Sequence, residues 1–295
     1  VYMGQMAGSS VVAAILGFLI TGVGLPLMAV AALGISRSNG LYDLSRKVGK
    51  PYGMFFTCLL YLTIGPFFAI PRCASTSFSV GIAPMLTDSP SAGWAIWVFS
   101  LLFFAAVLWF SLRPGKILTW VGKLLTPLFL LALGLLIVTA LVKPMGAVAT
   151  VEPQPTYARG AFFTGFIDGY NTMDALASLA FGIVVITTIQ RLGVTEPAYI
   201  AGNTVRSGLF GCLIMAVIYV MLAVVGAQSH AVYELSVDGG AALNLIATHY
   251  FENAGGIVLA VIVTLACLKT AVGLVTSCGE MFCEIFPHGP SYRVW

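Results

Sequence analysis

Of the 295 residues, 59% are hydrophobic and only 8% are charged, and the mean hydropathy is +0.98. A chain so poor in polar groups cannot cover a soluble domain, so it reads as a single integral membrane domain. Its formal net charge of +3 is too small, and too confined to loops, to make nucleic acid a partner.

A helix needs about 20 mainly apolar residues to cross a bilayer. That requirement predicts an all-α, polytopic membrane protein with seven spanning helices, near 11–35, 53–86, 94–112, 120–142, 161–189, 207–228 and 255–278. The first apolar run lacks a basic flank and is too long for the core of a signal peptide. Its small residues Gly17, Thr21 and Gly24 form a stripe suited to close helix packing. The sequence starts at Val1 and stops at Trp295, where a Pro-containing linker leads into a further apolar run, so it is expected to be a fragment.

The second span is longer than one crossing requires and is interrupted by Gly65, Pro66 and Pro71. Helix breakers at membrane depth free backbone groups that must find protein, water or ligand, so these residues fit either a transport pathway or a packed kink. Arg72 follows the second proline, where a carboxylate or exposed carbonyls would satisfy it. The fifth span is also long and is interrupted by Gly165 and Gly169. Its segment from Gly165 to Leu179, GFIDGYNTMDALASL, sets Asp168 and Asp174 among Gly169, Tyr170, Asn171 and Thr172. Ionisable groups are costly at this depth, so the composition predicts an unwound helix lining a polar cavity. Asp174 directly follows the break, whereas Asp168 is near enough to the start of its span to snorkel to external water.

Loop charges set the orientation. Arg37, Arg46, Lys47 and Lys50 occupy 36–52; Arg113, Lys116 and Lys123 follow the third span; Arg191 and Arg206 follow the fifth. The alternate loops are poorer, with Lys143 and Arg159 in 143–160 and neither residue type in 86–93 or 229–254. By the positive-inside rule the first set is cytoplasmic, leaving Val1 outside and Arg293 and Trp295 inside. Within 229–254, the stretch 239–251 spaces Ala242, Ile246 and His249 or Tyr250 as a short interfacial helix would. It reads either as an external gate or as an ordered cover over helix ends. His230 and His249 have no partners at ligand spacing and are assigned to no metal.

In the last span Ala266, Thr270, Gly273 and Ser277 lie along one helical face. Lys269 sits beside Thr270, where an ammonium needs a counter-charge, a carbonyl cage or a lost proton. The cysteines Cys58, Cys73, Cys212, Cys267, Cys278 and Cys283 show no strong metal or redox spacing and read as small buried hydrophobes.

Four stretches, GFLITGVGLPL from Gly17, YLTIGPFFAIPR from Tyr61, GFIDGYNTMDALASLAFGIVV from Gly165 and TLACLKTAVGL from Thr264, together resemble the bacterial branched-chain amino acid to cation symporters, the LIVCS family. The resemblance covers essentially the whole chain. It implies a carrier of leucine, isoleucine and valine in the bacterial cytoplasmic membrane, coupled to sodium, on the LeuT-type fold of two inverted five-helix repeats. The spans here would then be the second to eighth helices, without the first helix or those after the eighth. The broken sixth helix, Phe166 through Asp174, would offer backbone carbonyls with Gly169, Tyr170, Asn171 and Thr172 to the amino acid, and Phe67 of the third helix would meet its apolar tail. In the eighth, Ala266, Lys269 and Thr270 fall where such folds place sodium, the coupling ion and the one metal the resemblance implies; no other cofactor is expected. Lys269 departs from that expectation, since an ammonium there would replace or compete with the cation and open the way to proton coupling. A seven-span receptor is the alternative reading. A membrane-embedded enzyme is disfavoured, because Asp168 and Asp174 have no partner nucleophile.

Overall fold

Long runs of Leu, Ile, Val, Phe and Ala satisfy their backbone in lipid only by helical hydrogen bonding, and all described elements are helical. The computed structural model describes residues 1–38, 40–85, 92–112, 116–194, 196–286 and 289, giving backbone alone at 85, 92, 116–126, 187, 191, 253 and 284. The α-helices are α1 (Tyr2–Ala7), α2 (Val11–Leu19), α3 (Leu25–Ile35), α4 (Leu41–Ser45), α5 (Lys50–Leu62), α6 (Ala69–Gly81), α7 (Ala92–Ser111), α8 (Lys116–Val142), α9 (Pro155–Asn171), α10 (Asp174–Arg191), α11 (Pro197–Ser229) and α12 (Gly239–Ile285). Among the described residues six stretches are long and apolar enough to cross a membrane, namely Tyr2–Ile35, Lys50–Gly81, Gly93–Ser111, Pro155–Gln190, Pro197–Ser229 and Ala254–Cys283. The span expected at 120–142 lies on α8, of which the shorter stretch Pro127–Val142 is apolar with described side chains. Arg113 and Arg293 lie outside the described residues, as do the side chains of Lys116, Lys123 and Arg191.

The chain divides into two units. The first comprises Met3–Tyr61 and Ala147–Ala231. Its core is a cluster of Ala7, Val11, Ala14, Ile15, Tyr157, Ala161, Ala223 and Ala227. The side chains at the closest approaches are small, so backbone meets backbone: a Cβ at Gly17 would strike the Phe162 carbonyl, one at Gly165 the Ala14 carbonyl, and one at Gly4 the Ala223 carbonyl. Pairing of Ala14 with Gly165 and of Phe18 with Gly169 advances in the same direction along both helices, so α2 and α9 run parallel. Against α11 the order reverses, with Gly4 at Ala223, Val30 at Gly208 and Gly34 at Ala201, so the first span and α11 are antiparallel. A wide, π-type turn at Ile20–Gly24 interrupts the first span, a feature no sequence signal announced. At the other end of this span the basic loop folds on itself, with Arg46 paired to Asp43 at 2.7 Å and the Lys47 ammonium donating to the Ser36 carbonyl at 2.5 Å.

The second unit comprises Leu62–Gly146 and Val232–Trp295, with Val1–Tyr2. Its centre is the pair α6 and α12. Gly81 lies against Ala260 and Thr264, and Gly65 against the Cys278 sulfur, an order that makes the two helices antiparallel. The second span opens into a wide turn at Thr63–Phe67, where Gly65 leaves helical geometry (φ −84°, ψ −114°) and Pro66 supplies no N–H. Pro71, expected to interrupt the span, instead sits in the first turn of α6, where a missing N–H costs nothing. Arg72 lies over the Phe68 ring at 5.6 Å, in place of the expected carboxylate or carbonyl partner.

The connection at 229–254 contains the expected short helix. Asp238 caps it by accepting from the Ala241 N–H at 2.7 Å, and it ends at Glu252, whose φ of 53° and ψ of −153° suit glycine better than glutamate. Asn244 donates to the Val80 carbonyl at 2.9 Å, fastening this helix to the end of α6. Tyr233 and His249 share a hydrogen bond of 2.8 Å at the edge of a cavity of about 650 Å³ that Ser79, Asp238 and Asn244 also line.

Candidate functional site

The fifth span breaks, but not at the glycines. Gly165 and Gly169 lie inside α9, buried where α2 touches it; Thr21 lies against Gly169 and donates to the Phe166 carbonyl at 2.6 Å. Their role is close approach, which a glycine in a membrane helix serves as readily as flexibility. The break falls at Thr172 and Met173. Met173 adopts left-handed geometry (φ 59°, ψ 19°), at a cost of about 1–2 kcal/mol for a residue with a Cβ.

The consequences for the backbone are local and specific. The Gly169 carbonyl accepts from the Thr172 N–H at 3.4 Å and from the Thr172 hydroxyl at 2.7 Å, and the Tyr170 carbonyl accepts from Met173 at 3.2 Å. The helical bonds resume only at Ala177, which donates to the Met173 carbonyl at 3.1 Å. The N–H groups of the first turn of α10 therefore have no acceptor within the helix, and Met173 provides no side-chain cap. A partly negative helix end, on α9, thus adjoins a partly positive one, on α10, each worth about half an elementary charge. Such a pair is suited to the two ends of a zwitterion.

The two carboxylates are held differently. Asp174 opens α10 and accepts a hydrogen bond of 2.7 Å from the Tyr219 hydroxyl of α11, while the Tyr219 ring stands edge-on to Phe18 with centroids 5.1 Å apart. Tyr219 joins the candidate site without a signal in the sequence, since it lies 45 positions from Asp174 and no local pattern links them. Asp168, expected to snorkel outward, accepts instead from the Tyr157 hydroxyl. A straight helix would set these two about 16 Å apart along its axis. Gly160 breaks helical geometry (φ −172°, ψ 61°), folding the first turn of α9 back so that Tyr157 reaches Asp168 and the Thr164 hydroxyl reaches the Thr156 carbonyl at 3.1 Å.

Of the other expected site residues in this unit, Phe166, Tyr170 and Asn171 are exposed, Thr172 is half-buried and Gly169 is buried. Phe67, Ala266, Lys269 and Thr270 belong to the second unit. There Phe67 and Thr270 are exposed and Ala266 and Lys269 half-buried, and the Thr270 hydroxyl donates to the Ala266 carbonyl at 3.0 Å. This small-residue stripe thus brings a hydroxyl, a carbonyl and an ammonium to one stretch of α12.

The chain matches the family model described as branched-chain amino acid transport protein over residues 1–295. It is 51% identical, over 294 residues, to the branched-chain amino acid permease BrnQ of Lactobacillus delbrueckii subsp. lactis, with 100% of this chain and 66% of the relative covered. It is 42% identical over 292 residues to the branched-chain amino acid transport system 3 carrier protein of Pseudomonas aeruginosa (99% and 65% covered). Identity to the permease BrnQ of Bacillus subtilis is 40% over 286 residues (97% and 64% covered). The chain therefore spans slightly less than two thirds of the length of these relatives.

Proposed function

Because the chain belongs to the branched-chain amino acid transport protein family, we propose that the full-length protein is a secondary active carrier that imports leucine, isoleucine and valine by cation symport and alternating access. The family is one of transporters rather than enzymes. The apolar spans, with the permease relatives, mark the chain as a multi-pass protein of the bacterial cytoplasmic membrane.

The observation that carries the proposal is the break at Thr172 and Met173. The substrate ammonium would meet the carbonyl end of α9, and its carboxylate the free N–H groups of α10. Asp174, steadied by Tyr219, would shape this polar centre, and Phe166 would meet the branched tail. One methylene in an apolar pocket changes binding by only about 1–3 kcal/mol, so discrimination among the three substrates would be weak.

Seven spans on a LeuT-type fold are part of the proposal. Parallel helices in a membrane protein are separated by an odd number of crossings. The spans Lys50–Gly81 and Gly93–Ser111 provide two between α2 and α9, which supports α8 as the third. The antiparallel pair α6 and α12 requires an even number, met by α7, α8, the α9–α10 pair and α11. Both relations are consistent with the seven alternating crossings assumed in drawing the orientation from loop charges.

Sodium is the first candidate for the coupling ion, at Ala266 and Thr270, with the proton as the alternative through Lys269. Leucine uptake by the full-length protein, with choline replacing sodium at fixed pH, separates these two. The site itself is tested by Thr172→Val and Asp174→Asn. Both are expected to insert normally and to lose uptake; uptake at the parental level in both would refute the role given to the break.

A further inference from the structure

Two of the six cysteines do more than fill space. In the second unit the Cys73 thiol of α6 and the Cys267 thiol of α12 are hydrogen-bonded to each other, and Cys267 also shares a hydrogen bond with Ser77. The Ser77 hydroxyl in turn donates to the Cys73 carbonyl at 2.8 Å, closing a small polar cluster across the two helices. Both thiols are half-buried, and neither is in a disulfide.

The surrounding packing brings the same stretches of the two helices together. Gly81 meets Ala260 and Thr264 on one side of the pair, and Gly65 meets Cys278 on the other, so the antiparallel alignment brings Cys73 to within about one helical turn of Cys267. Along α6 the buried face carries Ala74 and Ser77 together with Gly81, residues small enough to let the helix axes approach closely. A disulfide requires Cα atoms about 4.4–6.8 Å apart and sulfurs free to close to about 2.05 Å. Thiols hydrogen-bonded across two closely packed helices need only side-chain rotation and a small approach of the two helices to close that bond.

We propose that Cys73 and Cys267 form an oxidisable dithiol whose co-reactant is hydrogen peroxide, a small, uncharged peroxide. One sulfur, as thiolate, attacks a peroxide oxygen; the O–O bond breaks, leaving a sulfenic acid and, with the thiol proton, a first molecule of water. The second sulfur then attacks the sulfenic sulfur and displaces its hydroxyl, which leaves with the second thiol proton as another water. Two electrons pass from the sulfur pair to the peroxide, and α6 becomes covalently joined to α12.

The test uses the full-length protein in membrane vesicles, treated with hydrogen peroxide or, in parallel, with the permeant oxidant diamide, then alkylated with N-ethylmaleimide, digested and analysed by mass spectrometry. The expected result is a peptide bearing Cys73 joined to one bearing Cys267, with alkylation of both lost together and regained after dithiothreitol. In Cys73→Ser, Cys267 should stay alkylatable, and in Ser77→Ala the cross-link should still form. Independent alkylation of both thiols after both oxidants, or a cross-link from either to a different cysteine, would overturn the proposal. The readout is covalent, so it stands or fails separately from any measurement of transport.

Discussion

Gly165 and Gly211 are both helical glycines, and replacing each by alanine should have opposite effects. At Gly165 a Cβ would lie 2.8 Å from the Ala14 carbonyl carbon and closer still to its oxygen, where ordinary contact begins at 3.4 Å. The obstacle is backbone, so α2 and α9 must separate. Forcing an extra methyl into such a contact costs about 1–3 kcal/mol. The same movement stretches the 2.6 Å bond from Thr21 to the Phe166 carbonyl, whose loss adds about 0.5–1.5 kcal/mol. At Gly211 nothing lies within 4 Å, and alanine simply gains its helical preference of about 1 kcal/mol. That preference is common to both sites, so the difference between the variants isolates the contact at roughly 2–4 kcal/mol. Denaturation of the purified full-length protein in detergent should show Gly165→Ala clearly weaker than the parent and Gly211→Ala at or above it. Equal stabilities would refute the close approach of α2 and α9, and with it the parallel arrangement on which the span count rests.

Tyr219→Phe keeps the ring contact with Phe18 but removes the 2.7 Å bond to Asp174; hydrogen bonds to charged groups contribute about 1.5–3 kcal/mol, so leucine uptake should fall by about tenfold or more at unchanged expression. Parental uptake would show that Asp174 needs no orienting partner. Gly65→Ala would bring a methyl within 2.8 Å of the Cys278 sulfur and should destabilise the second unit, whereas Gly65→Ala combined with Cys278→Ala should recover most of the loss. Failure of that rescue would mean that the unwound backbone at Gly65, rather than the sulfur above it, sets the cost.

Residue type and run length made the helices legible, because a bilayer leaves apolar segments almost no other option. Polar residues in the fifth span likewise made its break legible to within a few positions, and the Gly65–Pro66 turn and the short helix at 239–251 were visible in the same way. What sequence could not supply was the purpose of each glycine. Gly165 and Gly169 look like breakers until α2 is placed against them, and Met173, an ordinary helix former, carries the left-handed backbone. The partners of the two carboxylates were equally hidden. Tyr219 is chosen by folding at a distance and Tyr157 by a kink at Gly160, and neither is implied by the neighbours of Asp174 or Asp168; the Phe68 ring, four residues before Arg72, is a local partner that the expectation of a carboxylate passed over. The thiol pair of Cys73 and Cys267, like Tyr219 and Asp174, is joined at a distance, by the register of α6 on α12.

These facts together explain how an unwound segment persists without a glycine or a proline at its centre. Each half of the fifth span is clamped at its own place on the first span, the upstream half up to and into the wide turn and the downstream half beyond it, the latter also to Tyr61. Upstream, α9 is held against α2 by Gly165 and Gly169 and by the Thr21 hydroxyl. Downstream, α10 is held by the Tyr61 hydroxyl, which donates to the Ala180 carbonyl at 3.0 Å, and by Gly182 seated against Leu33 of α3. Two rigid attachments fix the directions of the half-helices, and the residues between them must take up the mismatch. Thr172 does so by turning its hydroxyl back onto the Gly169 carbonyl, and Met173 by adopting a conformation that costs about 1–2 kcal/mol. A strained joint retained between two firm clamps leaves its polar backbone open at a fixed place, which is the property a binding site for a small zwitterion requires.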